Sequence, residues 1–425
     1  RLKKLKVPVK DQKEPLKDFE KKFEKEFMAR KKLAIVLGIR PDVIRASLVL
    51  NTIRKHPNVD VTFIWSGQHY SDNLKDIFFR ELEVLPPEIE LGAKGESDAE
   101  VSSQVIAKLY PVLKELQPEA TVFLGDTNTV MGCLAVTQLN IPLVHIEGCM
   151  RSYDWRMPEE KCRTIIDHLS DVIYTYFPEY REQGIREGLN PDSIVLVQNL
   201  IVDVLNKYYF DRKNKYDDMA TSNFFTKRGI EKGEFYLSTC HRRENVEDPF
   251  NLKNILALFA ATDRKIYFPA SYRTQKRLID FGQTLPKNMI MVDPIGYDEM
   301  LALMVNSRGV ITDSGTVVEE TAVLQVPSLQ MRRATERPQV YDCGSSVKFD
   351  PSKPEVYPTD VLLHKLEGLY GKNFDHQLGD GKASERIITD LLDRLSRTDG
   401  FRMHLPESYH LDISRSYRED GLEEK

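Results

Sequence analysis

Short runs of β-branched and other apolar residues recur along the chain from Leu33 onward, each separated from the next by a stretch of helical periodicity. The first six runs are LAIVLG, VDVTFIWS, ATVFLGD, IPLVHIEG, DVIYTYF and SIVLVQN. Between the second and third runs, Val105, Leu109, Leu113 and Leu116 recur at the spacing of one helix face. Alternation of strand and helix over about 170 residues predicts a parallel, doubly wound sheet.

The same alternation starts again in the second half of the chain, after a polar stretch at 206–223 that reads as a boundary. Its runs are EFYLSTC, RKIYFPAS, MIMVDP, GVITDS and VPSLQM. Two α/β halves of similar size predict two doubly wound, Rossmann-like domains with a cleft between them. Because ligands of such sheets bind beyond the carboxyl ends of the strands, the residues after each run are the first candidates for a site.

The domain boundaries follow from where the alternation begins and stops. We expect a first α/β domain at 33–205 and a second at 206–378. The amphipathic stretch SERIITDLLDRLSR predicts a helix within 379–399 that packs back on the first domain. The two ends, 1–32 and 400–425, are predicted to be a charged extension and a polar tail.

Composition excludes several classes of protein. The net charge of -5 argues against a general nucleic-acid-binding protein. No apolar run approaches the roughly 20 residues needed to cross a bilayer, so no membrane insertion is expected. The five cysteines are scattered and form no CxxC pair, which is typical of reduced thiols and predicts a cytoplasmic protein.

The first run is followed by GIRPDVIRAS, in which the strand is expected to end at Gly38. Pro41 stands where a helix would begin, a position at which its missing N–H costs nothing. Arg40 is therefore expected at a strand tip beside a helix N-terminus, either as a phosphate ligand or as an ordinary surface arginine. The stretch is not a GxGxxG fingerprint, so no dinucleotide is indicated.

Carboxylates follow two later runs of the first domain. Asp126, in FLGDTNTVMG, is expected either to approach a ligand or to cap the next helix. Glu147 closes IPLVHIEG, and a loop rich in both charges leads from it to Glu159 and Glu160. Such loops are often only solvated surface. Two carboxylates in one cleft, however, can have their pKa values pushed apart to give an acid and a base, and we favour that interpretation.

In the second domain, HRREN follows the first run. A lone histidine is more often structural than catalytic, but His241 followed by Arg242 and Arg243 at a strand tip is typical of a diphosphate partner and proton donor. Cys240 precedes them, but no separate base is assigned to it, which disfavours a nucleophilic cysteine.

The run GVITDS continues into DSGTVVEETAV at 313–323. Gly315 allows a close approach of the backbone, and Ser314 with the helix amides can hold phosphate oxygens. Glu320 lies a turn or two into the helix, where it suits the hydroxyls of a ribose. The alternative is an Asp-capped helix with a solvated acidic face. No HExxH, Cys/His cluster, DxD pair or P-loop occurs in the chain, so no metal or other cofactor is expected.

Taken in order, these stretches resemble the motifs of the non-hydrolysing UDP-N-acetylglucosamine 2-epimerase family. GIRPDVIR resembles its GTRPE stretch, GDTNT its GDT motif, and HIEGCMR…PEE its HxEAGxR…PEE, while HRREN, DSGTVVEE and TERP match almost letter for letter. The similarity covers residues 33–395. It implies a GT-B-like fold, a UDP-linked 2-acetamido sugar bound chiefly by the second domain, and a homodimer.

The resemblance also implies a reaction, inversion at C2 of such a sugar. UDP is eliminated to leave a 2-acetamidoglycal and is added back with the proton delivered to the other face. Carried over by motif, the acid/base set is Asp126, Glu147 and Glu159, with His241 at the diphosphate. Arg40 and Ser314 would hold phosphate oxygens and Glu320 the ribose, and the other expected substrate contacts are Arg151, Arg242, Gly315 and Arg337. Which carboxylate removes the proton and which returns it stays open.

Three departures from the family pattern bear on specificity. Arg45 stands where the family usually has lysine, Ser271 replaces a histidine, and EGCMR is expected to place Gly148 and Cys149 against the substrate. The missing histidine argues against allosteric control by a second substrate molecule. Stretches such as GQHYSDNLKDIFFREL are closer to the branch that acts on 6-deoxy sugars, such as UDP-N-acetyl-L-fucosamine synthases.

Three rival functions remain open from the sequence. A hydrolysing 2-epimerase would have nearly the same site but release UDP and free sugar. A GT-B glycosyltransferase would pass the sugar to an acceptor, although transfer needs one base rather than three acids. A binding protein or scaffold without catalysis would keep only the UDP site.

Overall fold

The computed structural model describes residues 30–67, 72–401 and 404. The predicted charged extension at 1–32 and the polar tail at 400–425 lie almost wholly outside these residues. Two parallel, doubly wound sheets organise the described part of the chain, which confirms the predicted fold class. Every helix among these residues is too short or too polar to cross a bilayer.

The first domain is built on a seven-stranded parallel sheet with the order β3-β2-β1-β4-β5-β6-β7. Its strands are β1 (Lys31–Leu37), β2 (Val59–Trp65), β3 (Ile89–Glu90), β4 (Ala120–Leu124), β5 (Leu143–Ile146), β6 (Val172–Thr175) and β7 (Ile194–Leu196). Strands β4, β5 and β6 are buried at every position. Helices covering both faces of a parallel sheet have this effect, which explains the continuous apolar runs in the sequence.

The connections of the first domain are helical. They are α1 (Arg40–Ile53), α2 (Asp72–Glu81), α3 (Asp98–Leu116), α4 (Cys133–Gln138), α5 (Pro158–Leu169), α6 (Pro178–Arg186) and α7 (Leu200–Tyr208). On α3 the predicted apolar face is buried at Val105, Leu109 and Leu113. Pro158 and Pro178 are the first residues of their helices and Pro41 is the second residue of α1, positions in the first turn where the missing N–H of proline costs nothing.

The second domain repeats the plan with a six-stranded parallel sheet of order β10-β9-β8-β11-β12-β13. Its strands are β8 (Phe235–Thr239), β9 (Lys265–Pro269), β10 (Met289–Val292), β11 (Gly309–Thr312), β12 (Ser328–Met331) and β13 (Ser346–Phe349). Its helices are α8 (Lys213–Met219), α9 (Ser222–Thr226), α10 (Arg243–Val246), α11 (Pro249–Ala260), α12 (Tyr272–Asp280), α13 (Tyr297–Val305), α14 (Gly315–Val323), α15 (Gln339–Asp342) and α16 (Thr359–Glu367).

The last helix, α17 (Ala383–Ser396), returns to the first domain. Its residues Ile387, Leu391 and Leu395 are buried in the same core as the apolar residues of α1 and α7. The Tyr174 hydroxyl on β6 donates a hydrogen bond to Asp390 at 2.7 Å. The chain therefore crosses between the domains a second time before residue 399.

The polar stretch at 206–223 is an ordered connection rather than an open linker. Tyr208 and Tyr216 are both 1% exposed, and the Tyr216 hydroxyl donates to the Tyr208 carbonyl at 2.9 Å and to Asp298 at 2.8 Å. The tyrosine rings supply apolar surface for packing while the charged residues between them face water.

In both sheets the order in which strands are added reverses at the first strand. Strand β1 lies between β2 and β4, and β8 lies between β9 and β11. Loops that leave β1 and β4, or β8 and β11, therefore open into a crevice at a topological switch point, where doubly wound sheets bind ligands. The sequence motifs around Arg40, Asp126, His241 and Ser314 occupy these four loops.

Candidate active site

Glu147 follows β5 and is the residue on which side chains of both domains converge. Arg45 donates to both of its carboxylate oxygens. Arg337 Nη2, from the second domain, donates to Oε1 at 2.7 Å, and the Tyr176 hydroxyl donates to Oε2 at 2.9 Å. Burial acts to raise the pKa of Glu147, but Arg45 and Arg337 outweigh it and hold this pKa below its ordinary value. Glu147 is therefore ionised at neutral pH.

The backbone of Glu147 is strained. Its φ of +75° lies in the left-handed region that favours glycine. Surrounding structure must offset such a conformation, and backbone strain of this kind clusters at functional sites. The three donors to the carboxylate are part of that offset.

Asp126 meets an arginine rather than a helix end. The short 3-10 turn Asn128–Gly132 that follows has Thr127 at its N-cap and no side-chain cap, so the helix-cap alternative is wrong. Asp126 instead accepts a hydrogen bond from Arg163 of α5. Burial acts to raise the pKa of Asp126, but the charges of Arg163 and Arg242 outweigh it and lower the pKa.

Glu159 and Glu160, in the first turn of α5, have different surroundings. Glu160 is buried and accepts from the backbone N–H of Ser152 and Tyr153, at 3.1 and 2.8 Å, so it shapes the preceding loop. Glu159 retains 26% side-chain exposure, and its Oε1 lies 3.3 Å from Arg242 Nη1 of the second domain. Glu159 thus faces the crevice, and Glu160 holds the loop that precedes α5.

Arg337 lies at the centre of the contact between the domains and is 3% exposed. Besides Glu147, it reaches Glu336 Oε1 with Nη1 at 2.5 Å and lies 3.1 Å from Glu319 Oε2 through Nε. An added Cβ on Gly315 would lie 2.9 Å from Arg337 Nη1. Gly315 therefore leaves the space in which the guanidinium crosses the N-terminus of α14.

Glu336 is the anion around which the arginines gather. Arg332 lies 3.3 Å away, and Arg163 and Arg242 each lie 3.9 Å away. Burial acts to raise the pKa of Glu336, but these cations, Arg332 foremost, outweigh it and hold the pKa well below its ordinary value. Through Glu336 the sets that contain Asp126, Glu147 and Glu159 become one connected group.

Asp313 positions the loop after β8. Its buried carboxylate accepts from the backbone N–H of His241 at 2.9 Å and of Arg242 at 2.8 Å, and from the Asn245 amide at 3.1 Å. The His241 Nδ1 lies 3.2 Å from the same carboxylate, while 46% of the His241 side chain is exposed. Asp313 therefore fixes His241 with one ring edge held and the rest of the ring accessible.

Helix α14 is capped by Ser314, not Asp313. The Ser314 hydroxyl accepts from the Val317 N–H at 3.3 Å. Glu319 and Glu320, further along the helix, are 1% and 2% exposed. The alternative of an Asp-capped helix with a solvated acidic face is therefore wrong.

Glu320 is linked to the first domain through one tyrosine. It accepts from the Tyr297 hydroxyl at 2.7 Å, and burial raises the pKa of Glu320 to about 7. Tyr297 opens α13, and its backbone N–H donates to Glu81 of the first domain at 2.6 Å. Glu81 also accepts from the Asp298 N–H at 3.2 Å, so a residue of the first domain caps a helix of the second.

Two further expected substrate contacts lie elsewhere in the first domain. The Arg40 guanidinium stacks over the Phe78 ring at 4.7 Å, at the start of α1. Arg151 is buried beneath its loop, with Nη1 2.7 Å from Asp167 and Nη2 2.8 Å from Glu187. The structure therefore does not bring Arg151 into the group formed around Glu147.

Gly148 and Cys149 do not line the substrate side as expected from their place in the motif. A Cβ on Gly148 would lie 2.7 Å from Asp167 Oδ1, and the Cys149 thiol lies 2.6 Å from where a Cβ on Gly184 of α6 would stand. Cys149 is completely buried. Both residues therefore fill the layer between the sheet and its helices.

Several members of the group were not among the site residues predicted from the sequence. Arg163, Glu336 and Asp313 stand inside the quoted motifs, so the sequence indicated that they lie near the site. It did not indicate which residues they contact. Tyr176 lies in an apolar run and reads as core until its hydroxyl is seen to meet Glu147.

The arrangement combines ionised carboxylates with buried guanidinium groups in one crevice. Carboxylates can exchange protons with a carbon acid, and arginines can neutralise a departing diphosphate in a site with little water. Across the described residues, no three His, Cys, Asp or Glu side chains are grouped as metal ligands would be.

Comparisons with known proteins identify the family of this chain. The family model described as UDP-N-acetylglucosamine 2-epimerase matches residues 51–392. A UDP-N-acetylglucosamine 2-epimerase of Methanocaldococcus jannaschii is 33% identical over 368 residues, covering 84% of this chain and 98% of that protein. A UDP-2,3-diacetamido-2,3-dideoxy-D-glucuronate 2-epimerase of Pseudomonas aeruginosa is 30% identical over 364 residues, covering 84% and 98%.

Solved structures extend the match to the whole fold. The crystal structure of the Methanocaldococcus jannaschii UDP-GlcNAc 2-epimerase in complex with UDP-GlcNAc and UDP superposes with a TM-score of 0.76 at 32% identity, covering 85% of this chain and 99% of that one. With the family model spanning most of the chain and the crevice residues in their motif positions, this protein belongs to the UDP-N-acetylglucosamine 2-epimerase family.

Proposed function

We propose that this protein inverts C2 of a UDP-linked 2-acetamido sugar by eliminating UDP and adding it back. The observation that carries the proposal is the meeting of second-domain arginines, Arg337 and Arg242, with first-domain carboxylates, Glu147 and Glu159. The named activities of the relatives from Methanocaldococcus jannaschii and Pseudomonas aeruginosa support it.

In the elimination, a carboxylate takes the proton from C2 and the C1–O bond to the diphosphate breaks. The C2–H electron pair becomes the C1=C2 double bond of the glycal, and the C1–O pair leaves with UDP. Re-addition reverses these steps with the proton delivered to the opposite face. We assign this proton exchange to Asp126, Glu147 and Glu159, which lie in one connected ion-pair group with the arginines.

The departing UDP diphosphate must be neutralised by cationic side chains in a site that holds little water. We assign the diphosphate to His241, Arg242, Arg337 and the N-terminus of α14 at Ser314 and Gly315, with Arg40 at the opposite switch point. Arg337 pairs with Glu147 in the structure described, so a diphosphate that draws Arg337 away would raise the proton affinity of Glu147. We assign the ribose to Glu320, and Arg151 to support of the loop.

The sugar itself is proposed to be a UDP-N-acetylhexosamine, either D-gluco or the 6-deoxy-L type, and the protein a cytoplasmic homodimer. Sedimentation of the purified protein at micromolar concentration measures the oligomeric state directly. A monomer at that concentration would refute the dimer without affecting the proposed reaction.

The reaction is tested by proton NMR in D2O with a panel of UDP-N-acetylhexosamines that includes 6-deoxy-L-sugars. We expect deuterium at C2 while the UDP-sugar stays intact, and the fastest substrate identifies the branch. Steady accumulation of UDP and free sugar would instead establish the hydrolysing reaction. UDP binding without exchange on any sugar would overturn the epimerase and favour a transferase or a binding protein.

Gly315→Ala is expected to lower turnover about 10-fold with the fold retained, because the new methyl group displaces the Arg337 guanidinium. The matched control is Gly368→Ala, where the nearest atom, the His364 carbonyl oxygen, would lie 3.3 Å away. Exchange at C2 and circular dichroism measure both effects. Equal turnover in the two variants would contradict the role given to Arg337.

His241→Ala is expected to weaken UDP binding about 10-fold and to slow the loss of UDP, because a charge-assisted contact to the diphosphate disappears. Asp313 keeps its backbone donors, so the loop should hold its shape. The control is His364→Ala, an exposed histidine at the end of α16. Calorimetry with UDP compares the two, and wild-type affinity and turnover in His241→Ala would remove it from the site.

A further inference from the structure

His145 occupies an unusual place for a histidine. It lies on β5, two residues before Glu147, and is completely buried. Its Nδ1 is 2.7 Å from Asp167 Oδ1 on α5, and its Nε2 is 2.8 Å from the Gly125 carbonyl oxygen in the loop after β4. Both distances are those of good hydrogen bonds, so both ring nitrogens are hydrogen-bonded.

Both partners of the ring accept hydrogen bonds. A backbone carbonyl can only accept. The other oxygen of Asp167, Oδ2, already receives the Arg151 guanidinium at 2.7 Å and the Cys149 N–H at 2.9 Å, the contacts of an ionised carboxylate. Each imidazole nitrogen must therefore carry a proton, and a ring with two N–H groups is an imidazolium.

The charges facing His145 balance this buried cation. Asp167 is the anion on α5, and Arg151 shares it from the loop above. Glu187, after α6, is the second partner of Arg151 at 2.8 Å. Two cations and two anions thus form a neutral set, the condition under which a buried charge is tolerated.

This set lies directly beneath the two loops that carry Asp126 and Glu147, two of the three proposed acid/base residues. Gly125, held by Nε2–H, has a φ of +87° and immediately precedes Asp126. Asp167 holds the backbone of Cys149, two residues after Glu147. A Cβ on Gly148 would lie 3.1 Å from His145 Nδ1, which shows how closely the second loop packs on the ring.

We propose that His145 is a buried imidazolium that positions Asp126 through the Gly125 carbonyl and, with Asp167, ties that loop to the one carrying Glu147. The proposal rests on the proposed function in giving Asp126 and Glu147 their catalytic role. His145 contacts neither substrate nor reacting atoms and is a positioning residue.

Two substitutions separate the two hydrogen bonds. In His145→Asn the amide nitrogen can replace Nδ1 and keep the contact with Asp167, while the donor to Gly125 is lost. In His145→Gln the amide nitrogen can replace Nε2 and keep the donor to Gly125, while the contact with Asp167 is lost. We expect kcat for exchange at C2 to fall about 100-fold in His145→Asn and about 10-fold in His145→Gln, with UDP affinity unchanged in both.

A positioning role predicts this order, and a purely structural role does not. Equal kcat values in the two variants, or a kcat in His145→Asn within about two-fold of wild type, would overturn the positioning of Asp126. A parallel loss of UDP affinity would do the same, because the proposed UDP contacts other than Arg40 lie in the other domain.

The protonation state is measured on the wild-type protein, so it does not depend on the variants folding. Selective 15N-histidine labelling and NMR under the conditions of the exchange assay should show one buried histidine with both ring nitrogens protonated. A neutral ring at every buried histidine would overturn the imidazolium. Absence of exchange at C2 in the wild type would refute the proposed function instead, and the nitrogen spectra would still decide the state of His145.

Discussion

Glu147→Gln is expected to lower turnover about 10³-fold while leaving UDP affinity within a few-fold of wild type. Glutamine keeps the shape of the side chain and can still accept from Tyr176, but it cannot take a proton from C2. The fold should survive, because Arg45 retains Asp42 at 3.0 Å and Arg337 retains Glu336 and Glu319. Exchange at C2 measures turnover, and calorimetry measures UDP affinity.

The control for this variant is Glu367→Gln. Glu367 accepts hydrogen bonds from one tyrosine, Tyr236, and from two arginines, Arg264 and Arg308, as Glu147 does. It lies in the second domain, with none of these partners in the crevice group. If the loss of any arginine-paired carboxylate were enough to lower activity, both variants would lose activity. Undiminished turnover in Glu147→Gln would remove Glu147 from the acid/base set.

A large effect of pH on stability is expected at Glu320. Burial raises the pKa of Glu320 from 4.5 to about 7, so the folded protein keeps a proton there that the unfolded chain has released. The stability that the protonated group contributes is therefore lost as the pH rises from the pKa of Glu320 in the unfolded chain to its pKa in the folded protein. Above pH 7 the carboxylate is ionised and destabilises the fold. By the free energy of one pKa unit, the cost at pH 8 is about 3 kcal/mol.

Glu320→Gln removes that cost, since glutamine is neutral and can still accept from the Tyr297 hydroxyl. We expect the variant to be more stable than wild type at pH 8 by up to about 3 kcal/mol and equal to it near pH 4.5, as measured by urea unfolding. UDP affinity should fall at the same time, because a neutral amide accepts more weakly from the ribose hydroxyls. Stability and function are in conflict at such a position.

Glu336→Gln provides the comparison of opposite sign. The pKa of Glu336 is held well below its ordinary value, so its ionised form stabilises the fold above the unfolded pKa and this contribution is lost as the pH falls through the folded pKa. The variant should be less stable than wild type at pH 8 by about 3–5 kcal/mol, because buried arginines lose their shared anion. The difference should shrink toward low pH. A change of the same sign in Glu320→Gln and Glu336→Gln would contradict the assignment of both groups.

Periodicity and strand-end position carried the sequence predictions furthest. Buried parallel strands require continuous apolar runs, so the strands and their order in the chain could be read directly. Ligands of doubly wound sheets bind beyond strand ends, so Asp126, Glu147, His241 and Ser314 could be singled out from where they stand. The sequence could not decide the role of a residue whose type suits two roles, such as an aspartate that can either cap a helix or face a ligand. Helix capping was the alternative role left open for Asp126 and for Asp313, whereas Thr127 and Ser314 hold the cap positions.

By itself, the sequence determined two doubly wound domains and the loops proposed to carry the chemistry, because both depend on local patterns of polarity and on short motifs. Only the tertiary structure decided which charges meet. Arg337 reaches Glu147 across 190 positions of sequence, and Arg151 turns under its loop while Arg163, on the next helix, meets Asp126. An ion pair depends on distance in space and on the removal of water, and a linear spacing reports neither. The charge on buried His145 is decided in the same way, by two acceptors that the chain brings to its ring from other elements.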